Sequence, residues 1–364
     1  MGKRVLMAMS GGIDSSVAAM LLMEQGYELE GVTFRTFDSI SESCLAREKG
    51  CCSVDAIMEA RHLAETLGIR HHILDVRELF RDTVIRDFID QYLKCRTPNP
   101  CVLCNPVIKW GRLLEFADEI GCEHMATGHY ARVASNEGRH FLKKGVDRFK
   151  DQTYFLWRLT SEQLERTLFP LGDLTKDEVR EVAAARGHVR LSQKKESEEI
   201  CFVTDDNYRN FLRENVEDLD ERMPAGDIVD TAGRILGRHD GLYNYTVGQR
   251  KGLGVALGFP AFVAELQPDT NRLVLGSRDD LCSSGCVVSD LNLPGRPDFG
   301  DGKRVVCKVR YRSEGFPARL YRKSGGKVEI RFDEPVFAIT PGQSAVFYDG
   351  DDLLGGGVIQ NAIR

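Results

Sequence analysis

The chain has 364 residues, of which 42% are hydrophobic and 29% are charged, and its formal net charge is −6 at pH 7. These values describe a globular protein of two or three domains. No apolar run approaches the ~18–20 residues that a transmembrane helix needs. The short apolar start runs directly into a glycine turn, so we expect a first strand rather than a signal peptide, a cytoplasmic protein and no membrane partner.

The alternation of short apolar runs with helical patterns up to about residue 130 predicts a parallel sheet covered by helices. Ligands of such sheets bind beyond the carboxyl ends of the strands. The predicted elements in chain order are strand Val5–Met9, strand Tyr27–Phe34, helix Ser53–Leu67, strand His71–Val76, helix Arg77–Leu93, helix Val107–Ile120 and strand His124–Thr127.

The sequence changes character in its second half. A capping box formed by Thr175 and Glu178 opens a helix that ends at Gly187, and after it the helical pattern fades. Period-two runs then predict small β-barrels. These runs are Arg272–Leu275, Arg304–Tyr311, Val328–Phe332 and Ala345–Tyr348. We therefore expect a catalytic α/β domain at 1–210, a small β-rich domain at 211–280 and a C-terminal β-barrel at 281–364.

The stretch Met9–Ser16, MSGGIDSS, stands between the first strand and an amphipathic helix. Two glycines let the backbone approach a ligand closely, and the unpaired N–H groups of the following helix favour an anion. Ser10, Ser15 and Ser16 would add hydroxyl donors, whereas Asp14 beside phosphates requires Mg²⁺ between them. An ordinary turn with Ser and Asp as helix caps is the alternative.

The cysteines suggest a second chemical centre. Eleven cysteines without an export signal argue against a disulfide framework. Thr97–Asn105, TPNPCVLCN, is predicted to be a rigid loop, with Cys104 placed before a helix that starts at Pro106 and would activate its thiol. Cys201 follows a lysine-bearing segment. For Cys101, Cys104 and Cys201, buried thiols, a zinc site and persulfide chemistry all remain open; adjacent Cys51 and Cys52 favour packing.

Eight strings occur in order: MSGGIDSS, TPNPCVLCN, ATGHYAR, KDQTYFLW, ICF, YTVGQRKGLG, VRYR and TPGQSAVFY. Together they resemble the tRNA-specific 2-thiouridylases (the MnmA/TrmU family) over essentially the whole chain. The resemblance implies an adenine nucleotide alpha hydrolase-like (HUP, Rossmann-like) domain followed by two small β-rich domains. It also implies ATP-dependent 2-thiolation of the wobble uridine, U34, of Lys-, Glu- or Gln-type tRNA, with release of AMP and pyrophosphate.

The resemblance further assigns roles to residues. ATP with Mg²⁺ would lie against Ala8, Met9, Ser10, Gly11, Gly12, Ile13, Asp14 and Ser15, with Phe34 and Gly128 at the adenosine. Cys201 would carry a persulfide from a cysteine desulfurase or sulfur-relay protein, and Cys104 would resolve it to a disulfide. The residues expected at the flipped base are Asn99, Pro100 and Cys101. Those expected at the tRNA are His129, Lys150, Asp151, Gln152, Arg310, Tyr311 and Gln343.

One feature departs from the family pattern, and another supports RNA binding. Many family members have Asp where this chain has Cys101, so Cys101, Cys104 and Cys201 form an alternative ligand set for a [4Fe–4S] cluster. The segment Lys303–Arg331 holds ten Lys/Arg against two Glu, which suits phosphate contacts. A ligase that adenylates a small molecule, and a tRNA-binding or iron-carrying protein without turnover, are the competing functions.

Overall fold

The computed structural model describes residues 3–37, 54–193, 200–203, 205, 207–255, 258, 260–295 and 299–364. Cys51 and Cys52 therefore lie outside the described residues. The chain divides into two compact units. The first comprises Met1–Ile85, Pro100–Asp206 and Asp351–Leu354, and the second comprises Arg86–Asn99, Asn207–Gly350 and Gly355–Arg364. None of the described helices has the length and apolar character required to cross a membrane.

The first unit is built on a parallel sheet, as the alternating pattern predicts. Its strands are β1 (Arg4–Ala8), β2 (Glu28–Arg35), β3 (Arg70–Asp75), β4 (His124–Ala126), β5 (Ala131–Asn136), β6 (Arg139–Lys144) and β7 (Thr167–Leu168). The sheet order is β3-β2-β1-β4-β7, all parallel, while β5 and β6 form an antiparallel hairpin. The strand order reverses next to β1, and this is where ligands bind in open sheets of this kind.

Helices cover this sheet. They are Ile13–Glu24, Val54–Leu67, Arg77–Phe80, Pro100–Cys104, Leu113–Ile120, Thr153–Leu156, Ser161–Glu165, Lys176–Ala185 and Val189–Ser192, with π-helical segments Arg81–Ile85 and Asn105–Arg112. Gly121 ends its helix with φ of +72°, as predicted for a glycine stop. The predicted helix Arg77–Leu93 is instead interrupted by the π-helical segment Arg81–Ile85, which neither Gly nor Pro marks.

The core of the first unit explains why its first strand and helix are so apolar. Val5 and Met7 of β1 are fully buried, as are Val17, Ala18 and Ala19 of the following helix. A strand with helices on both faces must be hydrophobic along its whole length. The small alanines let the helix pack closely, so the turn between strand and helix rests on a rigid base.

The second unit contains two β structures. A four-stranded sheet has the order β10-β11-β8-β9, and a six-stranded barrel, β12-β15-β14-β13-β16-β17, closes by pairing of β12 with β17. The strands are β8 (Gly226–Asp230), β9 (Ile235–His239), β10 (Phe262–Gln267), β11 (Arg272–Gly276), β12 (Cys282–Asn292), β13 (Lys303–Lys308), β14 (Phe316–Lys323), β15 (Lys327–Phe337), β16 (Ser344–Asp349) and β17 (Asp352–Ile363).

Two expectations for this half of the chain were wrong. The helical pattern does not fade directly after Gly187, because α-helices Val189–Ser192, Tyr208–Asn215 and Leu219–Arg222 and short 3-10 turns Leu242–Asn244, Pro268–Thr270 and Asp279–Leu281 follow it. The second unit also contains the α-helix Arg86–Leu93 from earlier in the chain. The predicted strand Arg304–Tyr311 ends at Lys308. Its end is a turn in which the Ser313 hydroxyl and backbone N–H both donate to the Arg310 carbonyl.

Candidate active site

The turn after β1 adopts the conformation that its glycines allow. Gly11 has φ of +67°, and a Cβ at this position would lie 2.5 Å from the carbonyl oxygen of Ala56. Any side chain would therefore clash with the backbone of the helix Val54–Leu67. The next helix begins after Gly12, and no side chain caps it. Its first N–H groups are thus left for a ligand, and the alternative of Ser and Asp caps is wrong.

The serines of this turn mostly serve the turn itself. Ser15 and Ser16 are buried, and their hydroxyls donate to the Gly12 carbonyl at 3.1 and 2.8 Å. The Ser10 N–H in turn donates to the Ser15 hydroxyl at 3.1 Å. The expected hydroxyl donors are therefore engaged within the chain, which leaves the backbone N–H groups as the candidate anion-binding groups.

Asp14 lies in the first helical turn and has a cationic partner that sequence patterns did not reveal. The Lys176 ammonium donates to both Asp14 carboxylate oxygens, at 2.7 and 2.9 Å, and the Tyr130 hydroxyl donates to one of them at 2.7 Å. The Lys176 side chain is 6% exposed and the Asp14 side chain 31%. A desolvated ammonium is a strong electrostatic partner, so the negative charge of Asp14 is balanced by Lys176 within the chain.

The position of Lys176 is fixed by its helix. The capping box of Thr175 and Glu178 is confirmed, with both reciprocal hydrogen bonds present, and Lys176 is the first residue of the helix that it opens. The Lys176 backbone N–H also donates to Asp147 at 2.9 Å. These contacts hold the start of the helix so that the lysine side chain reaches Asp14.

Gly128, after β4, lies directly against the same turn. A Cβ on Gly128 would be 2.7 Å from the carbonyl carbon of Asp14 and from the backbone nitrogen of Ser15. The close approach of the two backbones is possible because this residue has no side chain. Phe34 is partly exposed near the end of β2. Two residues earlier, Val32 pairs with Ala8 at the end of β1. The predicted nucleotide residues Ala8–Ser15, Phe34 and Gly128 thus share one edge of the sheet.

The cysteine segment is a helix rather than the predicted rigid loop. It begins at Pro100, so Cys101 is exposed in the first turn and Cys104 is the fifth residue. Proline suits a first helical position because its missing N–H would have no intrahelical partner there. The expectation that a helix starting at Pro106 would activate Cys104 was therefore wrong. Pro100 itself is buried rather than presented to a base.

The helix continues past Cys104 as the π-helical segment Asn105–Arg112. Pro106 cannot donate to an earlier carbonyl, and a wider turn accommodates that missing bond. Asn105 is buried, and its amide donates to the Phe155 carbonyl at 2.9 Å. Its Oδ1 is a buried acceptor with no hydrogen-bond partner among the described residues. Asn105 thus anchors the chain immediately after Cys104.

Cys201 is held by its neighbour Phe202. The Phe202 ring is buried and packs edge-on against Phe80, with ring centroids 5.7 Å apart. The helix Pro100–Cys104 packs against Arg81–Ile85, the segment that follows Phe80 directly. Both cysteine segments therefore rest on the same stretch of the first unit. Cys101, Cys104 and Cys201 are thiols rather than disulfides in this structure.

A metal centre does not fit these cysteines. Within the described ranges, which include all three thiols, no group of three or more His, Cys, Asp or Glu side chains is arranged to hold a metal ion. Cys101 is exposed, whereas Cys104 and Cys201 are partly buried. The [4Fe–4S] ligand set is therefore unsupported, and we derive no chemistry from it.

The predicted RNA contacts in the first unit differ in their surroundings. Asp151 is 4% exposed, and its carboxylate accepts hydrogen bonds from Gly145 and Thr153. Its contribution is to the loop rather than to a surface. The Gln152 side chain accepts from the Tyr130 N–H at 2.9 Å. Burial lowers the pKa of His129 well below its ordinary value, so this imidazole is neutral at pH 7.

The predicted contacts in the second unit are partly engaged as well. The Arg310 guanidinium donates to the Phe337 carbonyl at 2.7 Å, and Tyr311 lies in the turn after β13. The Gln343 amide donates to the carbonyls of Thr97 and Pro98, at 2.9 and 3.2 Å. Gln343 thus supports the backbone just before Asn99 instead of pointing away from it.

Known protein families match the chain in three consecutive parts. A tRNA methyl transferase HUP domain matches residues 3–205, a tRNA methyl transferase PRC-barrel domain matches 209–277, and an aminomethyltransferase beta-barrel domain matches 283–359. The tRNA-specific 2-thiouridylase MnmA of Amoebophilus asiaticus is 50% identical over 99% of this chain and 96% of its own length. This chain belongs to the tRNA-specific 2-thiouridylase family.

Other 2-thiouridylases agree over the same length. The MnmA proteins of Cytophaga hutchinsonii and Clostridioides difficile are 48% and 45% identical, over 99% and 100% of this chain and 98% and 99% of their own. The resemblance drawn from eight short strings is thereby confirmed, as is the fold of a HUP domain followed by two β-rich domains. The domain boundaries at 210 and 280 stay a prediction.

Gln343 yields a prediction about how this 2-thiouridylase holds its cysteine segment. We expect Gln343→Ala to lower the rate of tRNA thiolation about tenfold, since it removes two part-buried hydrogen bonds and each costs ~1 kcal/mol. Amide hydrogen exchange at residues 95–99 should also accelerate in the absence of tRNA. The control Asn361→Ala removes an exposed amide from β17. Unchanged exchange in Gln343→Ala would contradict the supporting role and favour direct RNA contact.

Proposed function

We propose that this chain catalyses the ATP-dependent 2-thiolation of the wobble uridine U34 of Lys-, Glu- and Gln-type tRNA, giving 2-thiouridine, AMP and pyrophosphate. The observation that carries the proposal is that one compact unit of a 2-thiouridylase family member holds both a glycine turn before an uncapped helix and the three cysteines. A ligase for a small molecule would need the turn but not Cys104 and Cys201.

The first step activates the base. The C2 oxygen of uridine is a poor leaving group, so it attacks the α-phosphate of ATP and pyrophosphate departs. Backbone N–H groups after Gly12 bind the phosphates. Mg²⁺, which Asp14 and the phosphates would hold, would balance the negative charge of the phosphates. Lys176 keeps the Asp14 carboxylate from repelling the nucleotide, because its ammonium lies within 2.9 Å of both carboxylate oxygens.

The second step transfers sulfur. The terminal sulfur of a persulfide on Cys201 attacks C2, the bond from C2 to the adenylated oxygen breaks, and AMP leaves. The Cys104 thiolate then attacks Cys201 Sγ, which breaks the sulfur–sulfur bond and leaves the thiocarbonyl on the base. The two cysteines become a disulfide, so the cycle needs a reductant and a new persulfide. A cysteine desulfurase or sulfur-relay protein supplies that persulfide, and the reaction takes place in the cytoplasm.

The test of the proposal is 2-thiouridine formation by protein purified free of metal, including iron. The assay contains unmodified tRNA, ATP, Mg²⁺ and a persulfide donor. We expect one AMP and one pyrophosphate for each 2-thiouridine formed. If only the anaerobically iron-loaded protein formed 2-thiouridine, the proposed reaction would stand but the persulfide step would be overturned. Pyrophosphate release that depends on ammonia and a small acceptor, with no 2-thiouridine in either preparation, would instead identify a ligase.

Phe149 provides a separate prediction for RNA binding. Its side chain is 96% exposed between Arg148 and Lys150, and the Asp147 carboxylate holds this turn by accepting from the backbone of Phe149 and Lys150. A bare aromatic ring beside cations suits stacking on an unpaired base, worth about 1–3 kcal/mol. We expect Phe149→Ala to weaken tRNA binding about tenfold in a fluorescence titration.

Phe149→Trp should bind tRNA as the parent chain does, because the larger ring still stacks. The matched control Val146→Ala removes another exposed apolar side chain from the same turn and should leave the affinity unchanged. Equal tRNA affinity for Phe149→Ala and the parent chain would rule out the stacking role.

A further inference from the structure

The reaction described above assigns no role to the string YTVGQRKGLG, Tyr245–Gly254. This string nevertheless forms one wall of a cavity in the second unit. The cavity has a volume of about 720 Å³, within the range of small-molecule sites. Residues of this string and of the helix Tyr208–Asn215 line it. The string is held in place because the Gln249 side chain bridges the Thr246 N–H and the Lys251 carbonyl.

The lining is cationic. Arg209, Arg213 and Lys251 line the cavity together with a single acidic residue, Asp240. Arg209 is fixed, since its Nε and Nη2 donate to the Asn244 carbonyl at 2.9 and 2.8 Å and its guanidinium stacks on Tyr208. Arg213 and Lys251 are exposed. The balance of charge favours an anionic ligand.

A buried acceptor in the lining adds a second requirement. Asn244 is 9% exposed, and its amide nitrogen donates to the Asp240 carbonyl at 2.6 Å. That bond fixes the orientation of the amide. Its Oδ1 is then a buried acceptor with no partner among the described residues. An unpaired buried acceptor is costly, so a ligand whose N–H or O–H group reaches Asn244 Oδ1 would gain a hydrogen bond there.

Aromatic side chains complete the wall. Tyr208 and Tyr245 line the cavity, and Tyr208 stacks on Tyr92 with ring centroids 4.5 Å apart. Cations, a buried acceptor and phenol rings together match a nucleotide, which carries a phosphate, hydroxyl and N–H donors and a flat base. We propose that this cavity is a nucleotide-binding site that takes one nucleotide of the substrate tRNA.

This inference rests on the proposed function, and its test separates the two. Full-length chain carrying Arg213→Gln and Lys251→Gln is compared with a double variant, Arg234→Gln and Arg272→Gln, that removes two exposed cations of the same unit outside the lining. We expect the first pair to weaken tRNA binding about tenfold and to lower the slope of log K against log salt by about 2. The control pair should change neither quantity.

A third variant, Asn244→Leu, removes the buried acceptor without changing charge. It should weaken tRNA binding while leaving the salt slope as in the parent chain, and the KM for ATP should stay unchanged in every variant. Equal tRNA affinities for the lining and control pairs, in protein that forms 2-thiouridine, would overturn the site but not the reaction. A parent chain that neither binds nor thiolates tRNA would overturn the proposed function.

The source of the nucleotide is tested with free AMP as the probe. If the cavity takes a nucleotide of tRNA, millimolar AMP leaves tRNA affinity nearly unchanged, and ultraviolet cross-linking joins tRNA to a peptide that contains Tyr208 or Tyr245. Saturable AMP binding that Asn244→Leu abolishes, without a cross-link to either tyrosine, would overturn the assignment to tRNA.

Discussion

Cys201→Ser is expected to abolish 2-thiouridine formation, a drop on the order of 10³-fold or more. Serine cannot carry the persulfide, so no sulfur reaches C2. Adenylation does not use this thiol, and therefore one pyrophosphate per enzyme should still be released in the presence of tRNA. The measurement is a single-turnover assay that follows pyrophosphate and 2-thiouridine in the same sample.

Cys104→Ser separates the two cysteines. The persulfide on Cys201 still attacks C2, but nothing then breaks the bond between Cys201 and the transferred sulfur. We expect a covalent adduct of protein and tRNA that dithiothreitol releases with 2-thiouridine on the RNA. Cys282→Ser, a partly buried thiol of the barrel, serves as the control and should retain activity. Full thiolation by Cys104→Ser without added thiol would contradict the assigned order.

Lys176→Met is expected to produce the second large loss of activity. The change leaves the Asp14 carboxylate without its ammonium, next to the turn that we propose to bind the phosphates of ATP. We expect tRNA-dependent pyrophosphate release to fall about 100-fold and the free energy of unfolding to fall by about 1–3 kcal/mol. The full cost of breaking a buried pair is ~3–5 kcal/mol, and the partial exposure of Asp14 reduces it.

A double variant distinguishes catalysis from stability. Asp14→Asn with Lys176→Met removes both charges, so most of the stability should return while pyrophosphate release stays low. Arg186→Met is the matched control, because Arg186 follows the same helix and pairs with Glu24 of the first helix. Pyrophosphate release within twofold of the parent in Lys176→Met would exclude the lysine from the reaction.

Local patterns were sufficient for the framework of the first unit. The glycine stop at Gly121, the capping box at Thr175 and the apolar strand β1 are each set by residues within a few positions. Such features depend on backbone geometry and hydrophobic periodicity, which a sequence displays directly. The parallel sheet followed from the alternation of these elements.

The contacts that build the site could not be predicted in the same way. Lys176 and Asp14 are 162 positions apart, and Gln343 and Thr97 are 246 apart. Nothing near Lys176 indicates that its side chain is turned inward, because lysine at the start of a helix is ordinarily solvated. The capping box located the start of the helix, but the partner of its first residue depends on tertiary packing.

The cysteine helix shows a different failure. Two prolines and two asparagines in TPNPCVLCN favoured a loop, yet Pro100 begins a helix and Pro106 is accommodated inside its π-helical continuation. Proline has opposite effects at the first and at interior positions of a helix. Composition does not separate these cases, and packing around Asn105 decides between them.

The two compact units are interleaved along the chain. The chain passes from one unit to the other after residues 85, 99, 206, 350 and 354. No single stretch of the gene therefore encodes either unit alone. A truncation at residue 210 would remove partners of 86–99 such as Gln343 and Gln360, although that segment lies well inside the truncated product. Recombination that exchanges whole modules would therefore have to preserve both halves together.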